Sequence, residues 1–139
     1  MLGILVLQPA FAKDKKQISK VNSKTELEDY IAIQSLLAKV LYAGVPDLAK
    51  KLSVDAKAVH HAELANEAEK LSVTPDLAKA RVKFVSVSNL ILPLAKAETD
   101  KNFEVVYCPM KKARWVQKTG PIANPYFGRD MLECGVKEK

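Results

Sequence analysis

Apart from Met1, every sulfur atom of the chain lies in two short stretches, Cys108-Pro109-Met110 and Met131-Leu132-Glu133-Cys134. Thiolates and thioethers are soft ligands that select Cu(I) and other thiophilic ions over zinc or magnesium. Cys108 and Met110 share one face of an extended strand if Pro109 sits at an edge or bulge. Met131 and Cys134 meet on a turn. Together the four make a two-thiolate, two-thioether set suited to Cu(I). No Cys-x-x-Cys or paired-histidine spacing occurs, so the zinc signature is missing. A second reading uses the same residues differently. Cys108 and Cys134 pair as a disulfide, and Met110 and Met131 fill gaps. Such a bridge stabilises by about 3–4 kcal/mol on the chain-entropy model. A third reading is thiol redox chemistry. The readings overlap, because a reducible bridge can release two thiolates to an ion.

Other candidates are weaker. His60 and His61 are adjacent on an expected helix and point about 100° apart, so they do not share an ion; a solvated surface is expected. The chain lacks a Gly-x-Ser-x-Gly elbow, a P-loop and a His-Glu-x-x-His pair. It carries no signature for a Cys–His nucleophile, so no enzyme is expected. The net charge of +6 attracts polyanions, anionic lipid or an acidic partner. No recognition motif accompanies it, so no nucleic-acid partner is expected. The lysines alternate with acids, as on a solvated helical surface.

The elements that must position these residues follow from composition and period. With 139 residues and 48% hydrophobic content, the chain supports one core of ordinary size. The start, Leu2 to Leu7 followed by Gln8-Pro9 and Ala10-Phe11-Ala12, has the form of a signal-peptide remnant cleaved after Ala12. It lacks a positive n-region, as expected if the recorded start falls inside the signal. The apolar run is too short to span a bilayer. The expected destination is the periplasm, an oxidising compartment. Residues 13–24 read as a flexible lead-in, and residues 25–139 as a single domain.

Within it, 25–97 reads as a three- or four-helix bundle. Thr25 and Glu28 form a capping box, with Ser23 and Glu26 as the alternative. Leu27, Tyr30, Ile33, Leu37, Val40 and Leu41 then mark one apolar face, and Gly44 ends the helix. Pro46-Asp47 and Pro75-Asp76 open later helices. A break is expected near Ser53-Val54-Asp55. On the last helix Leu77, Phe84, Ser88 and Ile91 share a face, and Pro93 should kink or end it. Residues 98–139 read as a small irregular β segment, with strands at 103–107 and 113–117 and a third at 131–134. This segment is too small for its own core. It must pack on the helices through Trp115, Tyr126 and Phe127. Asn124, Pro125, Tyr126 and Gly128 belong to an ordered, non-helical turn.

The pattern over residues 25–135 resembles a bacterial envelope domain, domain-of-unknown-function family 3347. That domain also occurs at the C-terminus of periplasmic adaptor subunits of heavy-metal efflux pumps. The resemblance rests on Cys108-Pro109-Met110, Ala113, Trp115, Gln117, Ile122, Asn124-Pro125-Tyr126, Gly128, Met131-Leu132 and Cys134-Gly135. Arg81, Phe84 and Ser88 match the family's residues on its last helix. It implies a non-enzymatic accessory domain near copper export, with an efflux or other envelope protein as partner. A second likeness, to the Tyr-x-Cys-Pro-Met-His-Pro opening of small heavy-metal modules, breaks at Lys111-Lys112. There a ligand is lost and positive charge added.

Overall fold

The structure is a computed structural model that describes residues 11–99 and 101–139, with side chains from residue 23 onward. The apolar run Leu2–Leu7 lies outside the described residues. Among the described residues four helices and a small antiparallel sheet follow one another, a mainly α arrangement with a small β segment. They are α1 (Phe11–Ala38), α2 (Val45–Ala58), α3 (Ala62–Ser72), α4 (Leu77–Ala97), β1 (Phe103–Cys108), β2 (Ala113–Lys118) and β3 (Val136–Lys137).

The predicted stripe of α1 is buried at Leu27, Tyr30, Ile33 and Leu37. Both ends differ from expectation. Ser23 and Thr25 lie inside α1, so neither caps it, and residues 13–24 are helical. The helix stops before Val40 and Leu41, which are exposed. Its end is a Schellman-type closure: Val40 N–H donates to Leu37 O at 3.2 Å and Leu41 N–H to Leu36 O at 2.9 Å. The left-handed position this needs falls on Val40 (φ 63°), a β-branched residue, rather than on Gly44. Gly44 (φ 92°) instead precedes α2, whose first turn holds Pro46 and Asp47.

The second break falls later than Ser53-Val54-Asp55. Leu52, Ser53 and Ala56 are buried within α2, and the chain turns at Val59–His61 with His60 left-handed (φ 64°). Asp76 caps α4, its Oδ1 accepting Lys79 N–H at 2.8 Å. Ala80, Phe84, Val87, Ser88 and Ile91 form the buried face of α4. Pro93 does not end the helix, which continues to Ala97. The interrupted bond sits on the exposed side of the last turns, while Leu94 and Ala95 pack against the core.

The sheet order is β2-β1-β3. In the β1–β2 hairpin Val106 faces Trp115, Tyr107 faces Arg114 and Cys108 faces Ala113. The third strand is not residues 131–134. Arg129–Met131 form a 3-10 turn, and β3 pairs Val136 with Tyr107 and Lys137 with Val106.

Trp115 and Tyr126 anchor the sheet on the helices as expected, and Phe127 is half-buried. Tyr30 and Phe84 stack at 4.8 Å, and Trp115 meets Tyr126 edge-on at 6.0 Å. A run of neutral hydrogen bonds crosses the same boundary. Ser88 Oγ lies 2.6 Å from Tyr30 Oη and 3.0 Å from Tyr126 Oη. Tyr30 Oη also accepts Val116 N–H at 3.3 Å, and Tyr126 Oη donates to Arg114 O.

Candidate thiol site

Cys108 ends β1, and the chain reverses over Pro109–Lys112 before β2 begins. Lys112 takes the left-handed conformation (φ 53°) that this tight reversal requires. The reversal brings Lys111 N–H to Cys108 Sγ at 3.4 Å. Cys108 is fully buried. Met110 is not on the strand. It sits in the reversal and is 65% exposed, so the shared strand face expected for Cys108 and Met110 does not form. The strand ends one residue before Pro109, which cannot donate to the ladder.

Cys134 reaches Cys108 from the other side. Cys134 N–H donates to Met131 O at 3.1 Å, the turn expected from their spacing. Met131 N–H in turn donates to Gly128 O at 3.1 Å. Met131 and Cys134 are half-buried. Both cysteines are free thiols, and Cys108 lies close enough to interact with the Cys134 thiol. Burial raises the pKa of the Cys134 thiol, and the adjacent Cys108 raises it further.

The motif residues explain how Cys134 is placed. Asn124 is buried and saturated. Its Nδ2 donates to Cys134 O at 2.8 Å, its Oδ1 accepts Tyr126 N–H at 2.8 Å, and its own N–H donates to Leu132 O at 2.7 Å. Arg81 Nε donates to Pro125 O at 3.2 Å and Arg81 Nη2 to Leu37 O at 3.0 Å, tying this loop to α4 and the end of α1. Gln117 Oε1 accepts from Trp115 Nε1 and Ala123 N, each at 3.0 Å, and Gln117 Nε2 donates to Pro121 O at 3.0 Å. Glycine is required at 135. A Cβ there would lie 2.7 Å from Val106 Cγ1 and 2.8 Å from Trp115 Cη2. At Gly128 a Cβ would meet nothing within 4 Å.

Among the described residues, no group of three or more His, Cys, Asp or Glu side chains is placed to hold a metal ion. The thiol pair with thioethers is a different donor set, and a pair of soft thiolates suffices for two-coordinate Cu(I). Sequence reasoning missed the Lys111 N–H bond to Cys108. Its signal is the third position after a cysteine that opens a tight reversal.

Sequence reasoning also missed a second polar centre. His61 lies in the α2–α3 turn and not on a helix. Its Nδ1 sits 2.8 Å and 3.0 Å from the two carboxylate oxygens of Glu26, whose side chain is fully buried on α1. Burial raises the Glu26 pKa, and the His61 contact opposes that only in part. Beside it Lys51 Nζ bridges Asp29 and Asp55, at 2.8 Å to each. Lys51 depresses Asp55, whereas burial raises the more enclosed Asp29. No helix of the described residues is long and apolar enough to cross a membrane.

Compared with known proteins, the chain matches no family model, no curated protein and no solved structure.

Proposed function

We propose that this chain is a non-enzymatic accessory domain of the bacterial periplasm. In this reading it binds a soft metal, Cu(I), between Cys108 and Cys134. Met110 and Met131 supply thioethers, and the site serves an efflux system or another envelope protein. The observation that carries the reading is the pair of free thiols close enough to interact, Cys108 at the end of β1 and Cys134 in the turn after Met131, with hydrogen bonds to the Cys108 sulfur and the Cys134 carbonyl. The motif resemblance to domain-of-unknown-function family 3347 and the apolar start of the chain support the location. A four-helix bundle is the scaffold in this reading. Exposure of Met110 suits a ligand that closes over an ion after it arrives.

The test is a Cu(I) competition titration of reduced protein against a chromogenic chelator. One ion per chain is expected. Cys134→Ser should weaken binding by roughly two orders of magnitude. Met110→Leu/Met131→Leu should weaken it by roughly tenfold. Equal binding by the wild type and the double methionine variant removes the thioethers from the site. Absence of copper binding by the wild type ends the reading. Binding should also tighten as pH rises, because the raised Cys134 thiol must release its proton to the solvent.

The same proximity favours a second reading, an envelope interaction module stapled by a Cys108–Cys134 disulfide with no metal. Counting free thiols in protein taken from the periplasm without reduction separates the two. Two thiols per chain favour the metal reading, and zero favours the staple.

A further inference from the structure

We propose that the groove between the end of α1 and the 3-10 turn binds a small amphipathic carboxylate, with its apolar body on the apolar lining and its charge between Lys39 and Arg129. The groove encloses about 540 Å³, within the range of small-ligand sites. Ala38, Ala123 and Leu132 give it an apolar lining, beside the polar Gln34 and Ser35 and the cations Lys39 and Arg129. No carboxylate lines it. Neither cation is in an ion pair among the described residues, whereas Lys50, Lys51, Lys57, Lys70 and Lys83 all pair with acids on the helices. Two unpaired cations facing an acid-free groove are complementary to one anionic group.

The wall is already in place. Gln34, itself buried, donates its amide to Ala123 O at 2.6 Å and fixes the loop against α1. The α1 carbonyls at Ser35, Leu36 and Leu37 are taken by Lys39 N–H, Leu41 N–H and Arg81 respectively. A bare inorganic anion leaves the apolar lining unused, and an alcohol or amine leaves the cations unmatched. The occupant that uses both is a short acyl carboxylate. This proposal does not depend on the metal reading, since neither cysteine lines the groove.

Titration of the full isotopically labelled chain with hexanoate, read by amide NMR, tests it. Hexanol and hexylammonium are the controls. Saturable shifts centred on Ala38, Ala123, Arg129 and Leu132 are expected for hexanoate alone. Lys39→Gln/Arg129→Gln should weaken hexanoate by roughly tenfold. Both side chains are exposed, so the variant should keep its fold, and Arg129→Gln alone should give an intermediate loss. The proposal is overturned if hexanol or hexylammonium binds as tightly as hexanoate. It is equally overturned if the double variant binds hexanoate unchanged, or if hexanoate shifts scatter away from the groove or do not appear. Concentration-dependent shifts at these residues without any probe would instead assign the groove to a second copy of the chain.

Discussion

The α1–α3 region and the junction between helices and sheet both bury polar side chains, but with opposite chemistry. Around Glu26, Asp29, Lys51, Asp55 and His61 the groups are ionisable and paired. Across the junction, Tyr30, Ser88, Gln117, Asn124 and Tyr126 are neutral and bonded to one another, to Trp115 and to backbone, with the Glu104 carboxylate accepting from Gln117 at the edge. Burial holds the Tyr30 and Tyr126 hydroxyls well above the ordinary tyrosine range, so they stay neutral. A buried ionised group costs solvation that its partner must return. A saturated neutral network avoids that cost and fixes geometry instead. The difference places sensitivity to pH on α1–α3 and positional precision beside the thiols.

Variants can break this contrast, beginning with the largest effect. Trp115→Ala removes the largest buried side chain of the junction and should cost about 3–5 kcal/mol, nearly independent of pH, in urea unfolding. Gly135→Ala forces a methyl group onto Val106 and Trp115 and should cost about 1–3 kcal/mol. Because Cys134 is the neighbouring residue, the same variant should weaken Cu(I) binding in the competition assay.

His61→Ala tests the ionic side. Glu26 has a folded pKa raised above 4.5, so the folded chain holds its proton more tightly than the unfolded chain. Stability from this group is therefore complete below that value and lost as pH rises through the raised one. Removing the imidazole leaves the carboxylate without its partner. Thermal unfolding should show a deficit of about 1–3 kcal/mol at neutral pH that shrinks toward pH 4. A deficit that stays constant with pH would erase the distinction between the two regions. The smallest effect is a gain. Val40→Gly relieves a left-handed valine at an exposed position and should stabilise by about 0.5–1 kcal/mol, read as a raised Tm.

The parts legible in sequence were those set by period and by strong local signals. Leu27, Tyr30, Ile33 and Leu37 marked the core face of α1. β-branched and aromatic residues marked β1 and β2, and Trp115 and Tyr126 declared themselves as anchors. The misses have physical causes. Thr25 and Glu28 fit a capping box, but the preceding lysine- and glutamine-containing stretch also supports helix, so the helix runs through them. The chain reverses at Val40 and His60 without glycine, because packing on either side compensates for an unfavourable backbone. Gly44, the apparent stop, serves the start of α2. Residues 131–134 have strand-like composition, yet Asn124 holds them in a turn through a partner distant in sequence. At the candidate site, the spacing of Met131 and Cys134 made the backbone turn between them legible. The proximity of Cys108 and Cys134 depends on the third dimension and is not in the spacing.

The tyrosine hydroxyls that meet the backbone of β2 carry one more consequence. Val116 N–H and Arg114 O are spent on Tyr30 and Tyr126, so that side of the sheet is partly closed to another chain. The opposite side is closed only by the two residues of β3 and the Glu138 N–H bond to Val105 O at 2.9 Å. The last few residues thus act as a plug on an otherwise open template. Ending the chain at Gly135 should turn a self-limited sheet into one that recruits copies of itself, visible as light scattering that grows with protein concentration.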